Sequence, residues 1–172
     1  MGNESAIIIP IPEVEPIVGP LRLQYDGTAR LGVPAHITVL YPFRPVQAVI
    51  GEIEVLRAVC GSIERFPFSF TEVRRFSATS YLCPDKSEAF VQVITKFAER
   101  WPDCKPYSGT HTDIVPHLTV ADCVDVKTMV AVEGSLRHQL PLRCIATEIW
   151  LLTSNDGGVW SRRGVFPFRI PE

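Results

Sequence analysis

Apolar residues along this chain recur at two spacings, and the switches between them mark out its elements. Ala6 to Pro12 predicts a short strand that ends at its prolines, which have no N–H to give a sheet ladder. Glu15 to Tyr25 predicts a helix in spite of Gly19-Pro20. Gly32-Val33-Pro34 predicts a turn, and His36 to Tyr41 a strand stopped by Pro42. Over Val46 to Ile63 the apolar positions Val49, Ile53, Leu56, Val59 and Cys60 recur at three and four residues, the spacing of one helix face. Phe66, Phe68 and Phe70 then alternate with other residues, so 66–76 predicts a strand with one apolar face.

The second half repeats this order. Ser80 to Cys83 predicts a strand stopped by Pro84. Asp85 to Trp101 predicts a helix with an aspartate start and Phe90, Val93, Ile94 and Phe97 on one face. A loop over Pro102 to Pro116 leads into a strand at His117 to Ala121. Val124 to Gln139 predicts a helix entered through Asp122 or Asp125. Leu140 to Thr153 and Val159 to Phe168 predict two strands joined by a hairpin at Asn155-Asp156-Gly157-Gly158. Each half thus runs strand, helix, strand, helix, long strand. The expected architecture is α+β and bilobal, a pseudo-two-fold duplication within one domain spanning 1–172, with two antiparallel sheets lining a central groove and helices outside.

The third element of each half carries the same pattern. His36-Ile37-Thr38-Val39 and His117-Leu118-Thr119-Val120 are both His-x-Thr followed by an apolar residue, each with a proline close before it, Pro34 and Pro116. On a strand, residues two apart face the same way, so each histidine and its threonine project together while Ile37, Val39, Leu118 and Val120 turn to the core. Random placement of the histidines and threonines would give about a quarter of one such match. Two copies at corresponding points of two similar halves make them parts of one site. Opening a cyclic phosphodiester needs a base to take a proton from water and an acid to protonate the leaving sugar oxygen. Imidazole serves either role near neutral pH. The attacking and leaving oxygens are roughly in line, so the two histidines belong on opposite sides of the phosphorus. Threonine hydroxyls can donate to the non-bridging oxygens. No metal or other cofactor is called for.

Composition narrows the ligand. The 172 residues carry a net charge of -2, with a pI of about 6.1, 46% hydrophobic and 21% charged residues. That balance is ordinary for a soluble globular chain and argues against a surface that holds long nucleic-acid backbone. The five cysteines include no C-x-x-C pair, so inert thiols in a reducing compartment are expected rather than a disulfide framework or zinc ribbon. The apolar run Ala6 to Ile9 is broken by Pro10 and Pro12 too early for a signal peptide or membrane helix. Ala6 stands where a myristoylation signal needs Ser or Thr. A cytoplasmic monomer without a membrane partner is expected.

The paired HITV and HLTV motifs, about eighty residues apart, resemble those of the 2H phosphoesterase superfamily, which includes the RNA 2',3'-cyclic phosphodiesterases also called 2'-5' RNA ligases. The stretch Gly32-Val33-Pro34-Ala35-His36-Ile37-Thr38-Val39-Leu40-Tyr41-Pro42-Phe43 is similar to the first motif segment of one branch of it. The resemblance implies a bilobal α+β fold with its active site in the central groove. It implies His36 and His117 as the acid–base pair, in either order, and Thr38 and Thr119 as phosphate ligands. It further implies a metal-independent phosphodiesterase acting on 2',3'-cyclic or related phosphates. The missing basic face favours a small cyclic nucleotide or short RNA end over long nucleic acid. The alternatives are a non-catalytic binder of nucleotides or RNA ends, and 2'-5' RNA ligase activity.

Further residues are candidates for lesser roles. Tyr41, Phe43, Trp150 and Trp160 could each stack on a base or pack in the core. His111, in the 102–116 loop, is a possible substrate contact, and with Asp113 and His117 it forms the only cluster readable as metal ligands. Arg162 and Arg163, beside the last hairpin, could reach a phosphate or lie in solvent. His138 suits a helix C-terminus, where a cation is favoured beside the carbonyls.

Overall fold

β1 (Ser5–Pro10) is buried along its whole length, as its near-continuous apolar run requires. The computed structural model, which describes residues 3–105, 113–122 and 124–172, continues through a 3-10 turn at Pro12–Val14 into α1 (Glu15–Tyr25), which keeps Pro20 within it. α2 (Gly27–Arg30) is a single turn capped by Asp26, whose carboxylate accepts from the Thr28 N–H. After Gly32, held at φ +96°, the chain enters β2 (His36–Leu40). The helix expected over 46–63 is divided. A 3-10 segment at Val46–Glu52 precedes α3 (Ile53–Gly61). Among 46–52 only Val49 is buried and Ile50 is 78% exposed, so this stretch lacks a continuous apolar stripe to dock, and Gly51 weakens a helix there.

β3 (Phe66–Arg75), β4 (Ser80–Pro84) and α4 (Ser87–Arg100) follow. Asp85 does not start α4. Its carboxylate accepts from the Ser69 N–H at 2.8 Å and ties the turn to β3. β5 (Leu118–Ala121) leads to α5 (Val126–Arg137), which is capped by Asp125 and not Asp122. His138 is its C-terminal cap. The strand expected over 140–153 is two strands, β6 (Leu142–Ala146) and β7 (Glu148–Ser154), separated at Thr147; β8 (Trp160–Pro167) closes the hairpin. β6 alternates buried and exposed residues, while β7 is buried almost throughout after Trp150, so the two ribbons sit in different environments.

The eight strands form two antiparallel four-stranded sheets, ordered β2-β1-β7-β8 and β5-β4-β3-β6. The break at Thr147 lets β6 pair with β3 and β7 with β1. The halves therefore exchange strands: β3 leaves its own half for the second sheet, and β7 and β8 return to the first. Each motif strand lies at a sheet edge, and the two edges meet in the middle of the molecule. α1 crosses onto β5 and α4 onto β2, which locks the lobes together. Ile37, Val39, Leu118 and Val120 are each at most 1% exposed and share one core with both sheets. Each such side chain contributes about 1.5–3 kcal/mol. Among the described residues, no helix is long and apolar enough to cross a membrane.

Candidate active site

The strand alternation that buries Ile37 and Val39 leaves His36 and Thr38 half-buried on the other face of β2, and on β5 it does the same for Thr119. His117 stands one residue before β5 and not within it. Pro116 precedes it, and the ladder with β4 begins at the Leu82–Leu118 pair. All four side chains line one cavity of about 1070 Å³, together with Tyr41 and Asp113. His111 lies outside the described residues.

Both imidazoles are held the same way. His36 Nδ1 is 2.7 Å from the Pro34 carbonyl oxygen, and His117 Nδ1 is 2.7 Å from that of Val115. A carbonyl only accepts, so Nδ1 donates in each ring, and Nε2 is the atom that accepts when the ring is neutral and donates when it is protonated. The shared device is the carbonyl two residues before each histidine. The neighbouring prolines occupy different places, two residues before His36 and one before His117.

The surroundings of the two rings differ. Burial, the Arg22 guanidinium and His117 push the His36 imidazole down from 6.5 to about 4, against opposing pulls from the Pro34 carbonyl and Asp26. Arg22 is 1% exposed. Its Nε and Nη2 donate to Asp26 Oδ2 at 3.1 and 2.8 Å, and its Nη1 to the Val33 carbonyl at 3.1 Å. Asp26 Oδ1 accepts from the Thr28 N–H at 2.9 Å and from the Thr28 hydroxyl at 2.8 Å. A buried ion pair so fully bonded pins the turn that delivers β2. Glu15 does the same at Ala35, taking its N–H at 2.8 Å. Arg22 and Asp26 carry a sequence signal, opposite charges four apart at the end of a predicted helix, but nothing in that signal says that they stand behind His36.

Around His117 the neighbours are aromatic. Phe76 stacks on Tyr81 with centroids 4.3 Å apart, and His117 meets both rings edge-on at 5.1 and 5.3 Å. Phe76 and Thr79 line the groove without having been singled out by the sequence pattern. Thr79 donates to Asp122 Oδ1 at 2.5 Å, and the Asp122 N–H reaches the Tyr25 carbonyl at 2.9 Å, joining β5 to α1. On the opposite wall Tyr41 and Trp160 meet edge-on at 6.0 Å, and the Tyr41 hydroxyl donates to Glu4 at 3.1 Å.

The other aromatic candidates turn away. Phe43 is buried against Trp101, and Trp150 donates its indole N–H to Glu148 while the Arg162 guanidinium covers its ring at 4.5 Å. Neither Arg162 nor Arg163 lines the groove. Asp113 and His117 do line it, and among the described residues no three His, Cys, Asp or Glu side chains are grouped to hold a metal.

Two antiparallel sheets that bring matching edge strands to one groove, in a mixed α+β bilobal fold, define the class. A family model described as the 2'-5' RNA ligase superfamily matches residues 10–158, and the chain belongs to that superfamily, which supports a phosphoesterase-type function. Among solved structures, TT0787 of Thermus thermophilus is similar with a TM-score of 0.66 at 13% identity, covering 98% of this chain and 100% of that one. LigT of E. coli complexed with 3'-AMP gives 0.65 at 11% identity, covering 98% and 99%. A protein described as a phosphoesterase gives 0.59 at 12%, again covering 98% and 99%. At such identities the likeness speaks for the fold. No curated protein matches the chain.

Proposed function

We propose that the protein opens 2',3'-cyclic or related phosphates on nucleotides or short RNA ends, with His36 and His117 as the acid–base pair. The observation that carries this is the pair of Nδ1-anchored imidazoles, each with its threonine, lining one groove from two sheets. A water oxygen attacks phosphorus while one imidazole Nε2 takes its proton. The bond from phosphorus to one ribose oxygen breaks, and that oxygen takes a proton from the other imidazole. The products are a phosphomonoester and a free hydroxyl. Thr38 and Thr119 donate to the non-bridging oxygens as charge grows there.

The two roles divide on the surroundings. With its imidazole pushed down to about 4 by burial and Arg22, His36 is mostly neutral at neutral pH. It therefore meets the substrate as a base, which leaves His117 to donate to the leaving oxygen. The rings of Tyr41, Trp160 and Phe76 offer faces or edges to a nucleobase. LigT, of the same fold, has been crystallised with 3'-AMP, a nucleotide bearing one phosphate.

The test is product analysis with 2',3'-cyclic nucleotides and short RNAs ending in a cyclic phosphate, with and without EDTA. Ring opening that survives the chelator is expected. Loss of activity with EDTA would overturn the metal-free scheme, and tight binding without product would make the protein a binder instead.

A further inference from the structure

The charge of the groove wall bears on what else the substrate can carry. The residues lining the cavity include four carboxylates, Glu4, Asp26, Asp113 and Asp122, and among the described residues no lysine or arginine. The positions outside the description, 1–2, 106–112 and 123, hold no lysine or arginine in the sequence either. Asp26 is neutralised from behind by buried Arg22. Asp122, after β5, accepts from the Thr79 hydroxyl. Glu4, before β1 and beside Tyr41, and Asp113, before His117, are the two carboxylates on which the filter is argued, and they stand on different parts of the wall.

The two histidines and two threonines suit the single charge of a cyclic phosphate. A second phosphate elsewhere in the groove meets carboxylates and no guanidinium or ammonium on the lining, a repulsion that low-dielectric walls strengthen. Ribose hydroxyls and the amino groups of a base are donors, which carboxylates accept well. Selection by repulsion is a recognised route to specificity.

Resting on the proposed cyclic-phosphate chemistry, we infer that this groove prefers nucleoside cyclic phosphates with no second phosphate over 5'-phosphorylated nucleotides and over RNA ends, which it opens more slowly. The phosphate is bound at its centre, and the acidic wall acts as the filter around it. This ranks the substrates that a two-histidine site could serve, with the small singly charged nucleoside cyclic phosphates ahead of the polyanions.

The experiment compares kcat/KM for adenosine 2',3'-cyclic phosphate with that for its 5'-phosphate and 5'-triphosphate derivatives and for a short RNA ending in a cyclic phosphate. The expected result is a preference for the 5'-hydroxyl compound of roughly tenfold or more. The rate for the phosphorylated compounds should rise with salt between about 0.01 and 0.15 M, as screening shortens the reach of the carboxylates. In the Glu4→Gln/Asp113→Asn double variant the ratio between the two substrate classes should narrow several-fold. Asp113 is exposed, so D113N alone keeps the test available if the double variant folds poorly. Equal or faster opening of the phosphorylated substrates, or rates that fall with salt, would overturn the filter while leaving the cyclic-phosphate chemistry in place. Opening of no cyclic phosphate at all would overturn that chemistry, and the filter with it.

Discussion

His36 and His117 begin motif segments of nearly the same sequence, and each gives its Nδ1 hydrogen to a carbonyl two residues back at 2.7 Å. What surrounds them is unlike. Behind His36 lies a buried arginine–aspartate pair bonded to the turn that delivers its strand, and His117 rests its ring edge-on against Phe76 and Tyr81. A local motif can thus orient two imidazoles alike, while elements from other parts of the chain make them chemically different. The proposed reaction needs one imidazole neutral and the other protonated at the same time, a division that unlike surroundings favour.

The largest effect that tests this contrast is loss of either ring. His36→Ala and His117→Ala should each lower turnover by roughly 10²–10⁴-fold, with the fold intact by circular dichroism. An aryl phosphodiester whose phenol leaves without protonation should restore activity to the His117 variant and not to the His36 variant. Rescue of the His36 variant alone would reverse the roles.

Next in size is the pair behind His36. Arg22→Met leaves Asp26 buried without its cation, and should cost about 3–5 kcal/mol in denaturant unfolding. Arg22→Met with Asp26→Leu should recover much of that loss. With the guanidinium gone, the His36 titration followed by NMR should move up in the single variant. An unmoved titration would break the link between the pair and the ring.

The smallest effect is on stability against pH. His36 titrates at about 4 in the fold and near 6.5 when exposed, so between these values the unfolded chain binds more protons. The neutral ring's contribution is complete above pH ~6.5 and is lost as pH falls toward 4, by up to about 3 kcal/mol. Carboxylates titrate in the same range, so the quantity to measure is wild-type stability minus that of His36→Asn at each pH. This difference should decline with acid, and a flat difference would mean that the ring is not desolvated.

Most elements were legible along the chain because their signals are local. The alternation at Phe66, Phe68 and Phe70, the stripe of Phe90, Val93, Ile94 and Phe97, and the Asn-Asp-Gly-Gly hairpin each act over a few residues. Errors arose where a neighbour from far along the chain ruled. Asp85 carries the look of a helix cap but is taken by the Ser69 N–H, and 140–153 reads as one strand although its two ends answer to different sheets.

By itself the sequence determined the α+β class, the facing of His36 with Thr38, and the family. Those follow from side-chain period and from motif segments short enough to need no partner. Only the tertiary structure decided that strands are exchanged between the halves, that Arg22 and Asp26 stand behind His36, and that Trp160 faces the groove while Phe43 and Trp150 do not. Burial and charge at a site are sums over everything packed around it, and that sum exists only once the chain has closed on itself.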